Sequence, residues 1–314
     1  MPSYKFAYPV YNAILKDSGL SFKVADVSFV TKLSLTEEFT FFDEGKKRFE
    51  DNQIFATVIE YGTKDYAKKL SYDKCRFATD IFKICSDLYH DNIFNPKKWQ
   101  FDIISDYVIQ GKSCYFYKNL TSAQEGTCAN FHADRNHTCI DSKIIGSTTK
   151  WSISDLEFLF QTVYSPNPNN IHKVLKRACH IYSQSFSINN LHERIVLLCT
   201  VLDTLATCER ERKVPQLQKY LPVMVLKCDK LSEGLKKFIK KIYDVRSAYV
   251  HNAEESDITE DEVDKLEKIV YRVVLQMIRN STKYKSTKEL CVAIDNGLFE
   301  PILDNLPDIY IPLL

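Results

Sequence analysis

An arginine and a histidine five residues apart have the chemistry needed to act on a phosphodiester. Arg246 and His251 stand in the string D-V-R-S-A-Y-V-H-N, near the end of a stretch with helical spacing, residues 231–252. A histidine can move a proton during phosphoryl transfer, which accelerates such a step by about 10²–10⁴-fold. An arginine can fork onto phosphate oxygens and stabilise their developing charge. Such a scheme would cleave RNA through its own 2′-hydroxyl, would leave DNA intact and would need no metal ion.

Arg246 falls on the apolar side of its predicted helix. Steps of three and four residues return to the same helix face, and they relate Arg246 to Leu235, Ile239, Ile242 and Tyr249. An arginine on a core-facing stripe needs an acidic or phosphate partner, because unpaired burial of charge is costly. Asp203 interrupts a mainly apolar helix at residues 196–206. We therefore expect Asp203 to pair with Arg246 and orient it.

His251 leaves that apolar stripe, because it follows Arg246 by about 140° around an ideal helix. Asn252 can adopt the left-handed conformation that ends a helix, which predicts that His251 lies at the helix C-terminus. The helix dipole favours a protonated histidine there. Lysines make the same helix a local basic patch on a chain of net charge +1. The residues predicted to bind RNA are Lys237, Lys240, Lys241, Ser247 and Asn252.

The string around Arg246 and His251 resembles the Arg-x4-His signature of HEPN domains. The preceding L-D-T-L, residues 202–205, resembles a helix of the Apea-like HEPN branch, which is associated with abortive-infection defence against phage. The resemblance covers residues 151–314 and extends loosely to the strand-then-helix pattern at 54–88. It implies an all-helical bundle, a homodimer, and a metal-independent endoribonuclease site shared by two facing Arg–His pairs. By this resemblance the catalytic residues are Arg246, His251 and Asp203.

Two positions depart from the pattern of that family. Residue 247 is Ser, where many members carry Asn, Asp or His, and residue 203 is Asp instead of the commoner Glu. The shorter Asp203 side chain has less reach toward Arg246. Two other interpretations remain open: a structural Arg246–Asp203 pair with a solvated His251, or a HEPN module that binds RNA or a protein without cleaving it.

A second group of polar residues has the types that bind zinc. Cys128, His132, His137 and Cys139 fall within twelve residues, and Cys114 could replace one of them if the loop folds back. Their spacing, C-x3-H-x4-H-x-C, matches no common zinc module. We therefore expect a reduced polar loop and predict no cofactor, and a zinc-dependent sensor stays the less favoured alternative.

The elements that must position these residues differ between the two halves of the chain. Residues 1–150 predict an α+β domain, with strands at 21–33, 54–61, 99–109 and 113–117 and a helix at 65–88. We expect this domain to sense or position something, but the sequence does not indicate its trigger. Residues 151–314 predict helices, of which four carry a capping signature. The capping pairs are Ser154–Glu157, Asn190–Glu193, Thr259–Glu262 and Ser286–Glu289.

Composition limits the possible environments and functions. The chain has 314 residues, 45% of them hydrophobic and 26% charged, which is typical of a folded protein with two ordinary domains. No apolar run approaches the roughly 20 residues of a membrane span. The ten cysteines do not form a secreted framework, and several stand singly in apolar stretches. We therefore expect a cytoplasmic protein. No Gly-rich phosphate loop is present, which argues against nucleotide hydrolysis.

Overall fold

The chain divides into two compact units that differ in secondary structure, Met1–Lys150 and Trp151–Leu314. The computed structural model describes residues 1–17, 19–36, 39, 51–86, 102–103, 115–128, 138–147, 153–209, 211–226 and 231–302. The described strands all lie in the first unit and helices dominate the second, so the expected α+β class is confirmed. Within these ranges, no helix is long and apolar enough to cross a bilayer.

The first unit is a sheet built around its N-terminal strand. The described strands are β1 (Ser3–Leu15), β2 (Phe22–Val24), β3 (Val27–Thr31), β4 (Gln53–Tyr61), β5 (Asp102–Ile103), β6 (Tyr115–Asn119), β7 (Glu125–Cys128) and β8 (Thr138–Ile140). The sheet order is β2-β3-β4-β1-β6-β7, and β5 and β8 also pair with β1. β1 runs antiparallel to β4, β5 and β6 and parallel to β8. The sequence pattern predicts no strand in the segment that forms β1.

Among the described residues, the first unit also contains the helices α1 (Lys32–Thr36), α2 (Lys64–Cys85) and α3 (Ser142–Ser147). The side chain of Thr63 caps α2 by accepting a hydrogen bond from the Tyr66 amide. A buried cluster on the sheet comprises Ala7, Leu35, Phe39, Phe55 and Phe116.

The prediction of a single strand at 21–33 is wrong. This segment forms a hairpin of β2 and β3, which is followed directly by α1. Ala25 adopts a positive φ of 50° at the tip, which reverses the chain where the sequence offers no glycine. The predicted strand at 54–61 and helix at 65–88 are confirmed by β4 and α2, although residues 87–88 lie outside the described ones. Of the predicted strands at 99–109 and 113–117, the described parts are β5 and the start of β6.

The second unit packs its helices around one long central helix. The helices are α4 (Ile153–Val163), α5 (Asn170–Ser185), α6 (Leu191–Leu205), α7 (Lys213–Val225), α8 (Ser232–Ser247), α9 (Glu260–Arg279) and α10 (Thr287–Asp295). α9 contacts α4, α5, α6 and α7. Its predicted apolar face is fully buried, at Val263, Leu266, Val270, Val273 and Met277. Arg279 of α9 is tied to Asp155 of α4 at 2.9 Å.

Three of the four predicted capping residues begin a helix. Asn190 accepts from the amides of residues 192 and 193, Ser286 accepts from residue 289, and Thr259 forms a complete capping box with Glu262. The fourth prediction is wrong, because α4 begins at Ile153 and Ser154 therefore lies inside its first turn. The boundaries of α6 and α9 matter most, since both helices help to position the residues described next.

Candidate functional site

The apolar stripe of α8 ends in Arg246. Leu235, Ile239 and Ile242 are completely buried, as their spacing predicts. Arg246 is half-buried on the same stripe. Its Nε atom is buried and has no hydrogen-bond partner among the described residues. The expected position of Arg246 on the apolar stripe is therefore confirmed, but the surrounding fold does not satisfy all hydrogen-bond donors of its guanidinium group.

The expected hydrogen bond between Arg246 and Asp203 is absent, although both residues are fully described. Asp203 Oδ1 accepts from the Tyr243 hydroxyl at 2.8 Å, and Asp203 Oδ2 accepts from Lys213 Nζ at 2.6 Å. The Asp203 side chain is only 8% exposed. Both of its oxygens thus have partners from two other helices, and the short aspartate reaches Tyr243, one helical turn before Arg246.

Tyr243 lies between the predicted partners. The Arg246 guanidinium carbon is 6.0 Å from the centre of the Tyr243 ring. The Tyr243 hydroxyl also lies 3.2 Å from the Cys199 carbonyl. Burial raises the pKa of Tyr243 well above its usual range, so its hydroxyl stays protonated and acts as the donor to Asp203. The contribution of Asp203 to the site is therefore to hold Tyr243, against whose ring Arg246 lies.

His251 lies in a widened turn that follows α8 without a break. Residues Ala248–Asn252 form a π-helical turn, a distortion that is frequent at functional sites. His251 is exposed, at the C-terminal end of this turn as expected. The prediction that Asn252 adopts the left-handed conformation is wrong: Ala253 does so, with φ of 55°. Because the turn is wider than an α-helix, the expected angle of about 140° between Arg246 and His251 does not apply.

A groove lined by three lysines and two aspartates lies along α8 beside this turn. It has a volume of about 600 Å³ and is lined by Lys237, Lys240, Lys241, Asp244, Val245, Ala248, Ser256 and Asp257. Lys237 and Lys240 are exposed and form no ion pair with a described residue. Lys241 pairs with Glu262. Three of the five predicted RNA-binding residues therefore line one groove, whereas Ser247 and Asn252 are exposed outside it.

A histidine outside the predicted site, His192, contacts both the groove and the π-helical turn. His192, at the start of α6, is 8% exposed. Its Nε2 lies 2.9 Å from the carbonyl oxygen of Ser256, which lines the groove. Its ring stacks on Tyr249 of the π-helical turn, with centroids 5.2 Å apart and planes at 24°. The sequence did not predict a role for three residues of this region, Tyr243, Lys213 and His192. Their partners lie on other elements, so no spacing along the chain reveals these contacts.

Only two of the possible zinc ligands, Cys128 and Cys139, lie in the described part of the chain. Cys128 ends β7 and Cys139 is exposed on β8. His132, His137 and Cys114 lie outside the described residues. Among those that are described, no group of three or more His, Cys, Asp or Glu residues has the arrangement of a metal site.

Comparison with protein-family models, with curated proteins and with solved structures finds no match to this chain. Any functional inference therefore rests on the arrangement of its own residues.

Proposed function

We propose that the chain is a HEPN-type, metal-independent endoribonuclease that uses Arg246 and His251. The observation that carries the proposal is the state of Arg246. A structural Arg246–Asp203 pair requires a hydrogen bond that is absent, because Asp203 is bound by Tyr243 and Lys213. A half-buried guanidinium with an unpartnered Nε is suited to an anionic ligand, since it otherwise bears an uncompensated cost of desolvation.

The proposed reaction uses the RNA 2′-hydroxyl as the nucleophile. Its oxygen bonds to the adjacent phosphorus, a histidine accepts its proton, and the bond from phosphorus to the 5′-oxygen breaks. The leaving oxygen takes up a proton, so the products are a 2′,3′-cyclic phosphate and a 5′-hydroxyl. Arg246 stabilises the charge on the non-bridging oxygens. His251 is the proton-transfer residue, and its exposure allows substrate to reach it.

Asp203 and Tyr243 have a positioning role in this scheme. The buried Asp203 carboxylate fixes the Tyr243 hydroxyl, and the Tyr243 ring supports the guanidinium of Arg246. This differs from direct orientation of Arg246 by Asp203, which was the expectation from sequence. Arg246 keeps its hydrogen-bonding groups for phosphate because Asp203 does not engage them.

The groove supplies a path for the RNA backbone. Lys237 and Lys240 present unpaired ammonium groups along it, within the described residues. Contacts with phosphates contribute most of the sequence-independent affinity for nucleic acid. The protein has a net charge of only +1, so this local groove and not a global field would attract the RNA.

A second copy of the chain completes the proposed site. One histidine cannot both accept the 2′ proton and donate to the 5′-oxygen in a single concerted step, whereas two facing Arg–His pairs can. A two-fold homodimer through the helical unit places the same surface of both copies together. We further propose that the enzyme acts in the cytoplasm as a toxic effector in antiviral defence, with its trigger at the N-terminal unit.

The test is cleavage of a defined single-stranded RNA by purified protein, with analysis of the new ends. We expect 2′,3′-cyclic phosphate and 5′-hydroxyl ends, unchanged rates in EDTA, and loss of cleavage in Arg246→Ala and His251→Ala. His180→Ala, a change on α5, is the control and should remain active. If wild-type protein binds RNA tightly but leaves it intact, the protein is a binding module. If a divalent ion restores activity lost in EDTA, the proposed chemistry is wrong.

A further inference from the structure

We infer that His192 is a positioning residue that fixes the segment carrying His251, an inference that rests on the proposed function. His251 itself is exposed, on a turn of only five residues that is followed by the left-handed Ala253. A general base must be held within hydrogen-bonding reach of its proton, so a catalytic histidine on such a turn needs support from elsewhere in the fold.

The ring of His192 contacts the chain on both sides of His251. Two residues before it, the Tyr249 ring lies nearly parallel to the imidazole at 5.2 Å. Five residues after it, the Ser256 carbonyl accepts a hydrogen bond from Nε2 at 2.9 Å. No other described side chain makes a hydrogen bond or ring contact with both of these positions. One imidazole thus ties the turn and the loop behind it to α6.

The tautomer of His192 follows from its partner. A carbonyl oxygen only accepts, so Nε2 must carry the proton. The position of His192 is itself fixed, because the Asn190 side chain accepts from the His192 amide at 2.8 Å and caps α6. His192 is 8% exposed, so removing its ring leaves a space beside Tyr249, and the Ser256 carbonyl loses its donor.

The same contact also reaches the groove. Ser256 lines the groove together with the lysines of α8. The hydrogen bond to the Ser256 carbonyl therefore holds a groove residue that lies five positions after the proton-transfer residue. Displacement of a reacting group by about 1 Å can lower a rate by about 10²-fold, so loss of His192 should reduce kcat although His192 does not touch the substrate.

The experiment compares His192→Ala with His192→Gln and with a matched histidine elsewhere. His172 is 5% exposed on α5, and its Nε2 lies 3.1 Å from Ser281 Oγ, so His172→Ala removes a similar contact outside the site. The first readout is hydrogen exchange of the backbone amides of residues 249–256, which does not depend on activity. The second is kcat and KM for cleavage of the defined RNA.

We expect His192→Ala to accelerate exchange across residues 249–256 by about 10-fold or more. It should lower kcat by about 10-fold or more, while His172→Ala changes neither quantity. Glutamine retains an N–H donor and should restore much of both. Unchanged exchange in His192→Ala would overturn the inference. So would equal losses of kcat in His192→Ala and His172→Ala, because both would then reflect general destabilisation. If wild-type protein proves inactive, the proposed function fails and exchange alone decides the positioning role.

Discussion

The Tyr243 hydroxyl, and not the Arg246 guanidinium, is the group that binds Asp203 Oδ1, at 2.8 Å. Asp203 lies on α6 with its side chain 8% exposed, and its second oxygen is bound by Lys213 of α7. Both oxygens of Asp203 therefore have partners other than Arg246. Under the proposed function, this leaves Arg246 to bind an anion.

A double-mutant cycle tests this arrangement directly. We expect Tyr243→Phe and Asp203→Ala to be coupled by about 1 kcal/mol, the usual contribution of a buried hydrogen bond. Arg246→Ala and Asp203→Ala should show a smaller coupling, because these two residues interact only through their shared partner Tyr243. Urea denaturation of the single and double variants provides the free energies. A larger coupling for Arg246 than for Tyr243 would mean that Asp203 exchanges partners in solution.

The lysines of the groove should contribute to the salt dependence of RNA affinity. Lys237→Ala with Lys240→Ala removes two exposed charges that form no ion pair with described residues. For a single strand, each lost phosphate contact should reduce the slope of log K against log salt by about 0.7. The control is Lys173→Ala with Lys288→Ala, which removes the same charge from α5 and α10. Equal changes in slope for both double variants would remove the groove from the proposal.

Dimerisation should depend on the surface next to His251. Val250 is 48% exposed in the π-helical turn, and an apolar side chain so placed would be covered when two copies face each other. Val250→Asp should therefore give a monomer with greatly reduced cleavage, measured by light scattering and an RNA assay. Val292→Asp alters a valine on α10 that is 49% exposed and should change neither property. A fully active wild-type monomer would contradict the shared site.

Sequence patterns predicted what depends on neighbours along one element. The stripe through Leu235, Ile239 and Ile242 gave the buried face of α8 and placed Arg246 on it. Hydrogen-bonding residues before α6, α9 and α10 gave the starts of those helices. In each case the feature depends on a helical period or on a short-range hydrogen bond, so the sequence of one segment is sufficient to predict it.

Features that depend on two distant elements could not be predicted in the same way. β1 is a central strand whose residues are buried on both faces, so the alternation that marks a half-exposed strand is lost. Asp203 has two near partners on other helices, Tyr243 and Lys213, and spacing along the chain does not distinguish them from Arg246. The contact between His192 and Ser256 joins residues 64 positions apart.

Glu267 gives a prediction for the pH dependence of stability. This residue of α9 is buried, and its Oε2 lies 2.6 Å from an Arg194 nitrogen. Burial raises the pKa of Glu267 to about 7, and the opposing effect of Arg194 does not offset it. The folded protein therefore holds a proton on Glu267 over a range in which the unfolded chain has lost it.

The sign of the effect follows from that difference in bound protons. The stabilisation is fully present below the ordinary pKa of 4.5 and is lost as pH rises to about 7. The free energy of unfolding should therefore fall between these values, by at most about 1.4 kcal/mol per pH unit from this group. Glu267→Gln cannot ionise and should remove this component. Urea denaturation of both proteins at pH 5, 6, 7 and 8 measures the difference in their free energies of unfolding. Most contributions from other titrating groups are the same in both proteins and cancel in this difference. We expect wild-type stability to decline relative to Glu267→Gln from pH 5 to 7 and then to run parallel to it. A wild-type protein that instead gains stability relative to the variant over this range would show that Glu267 is ionised in the fold and that Arg194 outweighs burial.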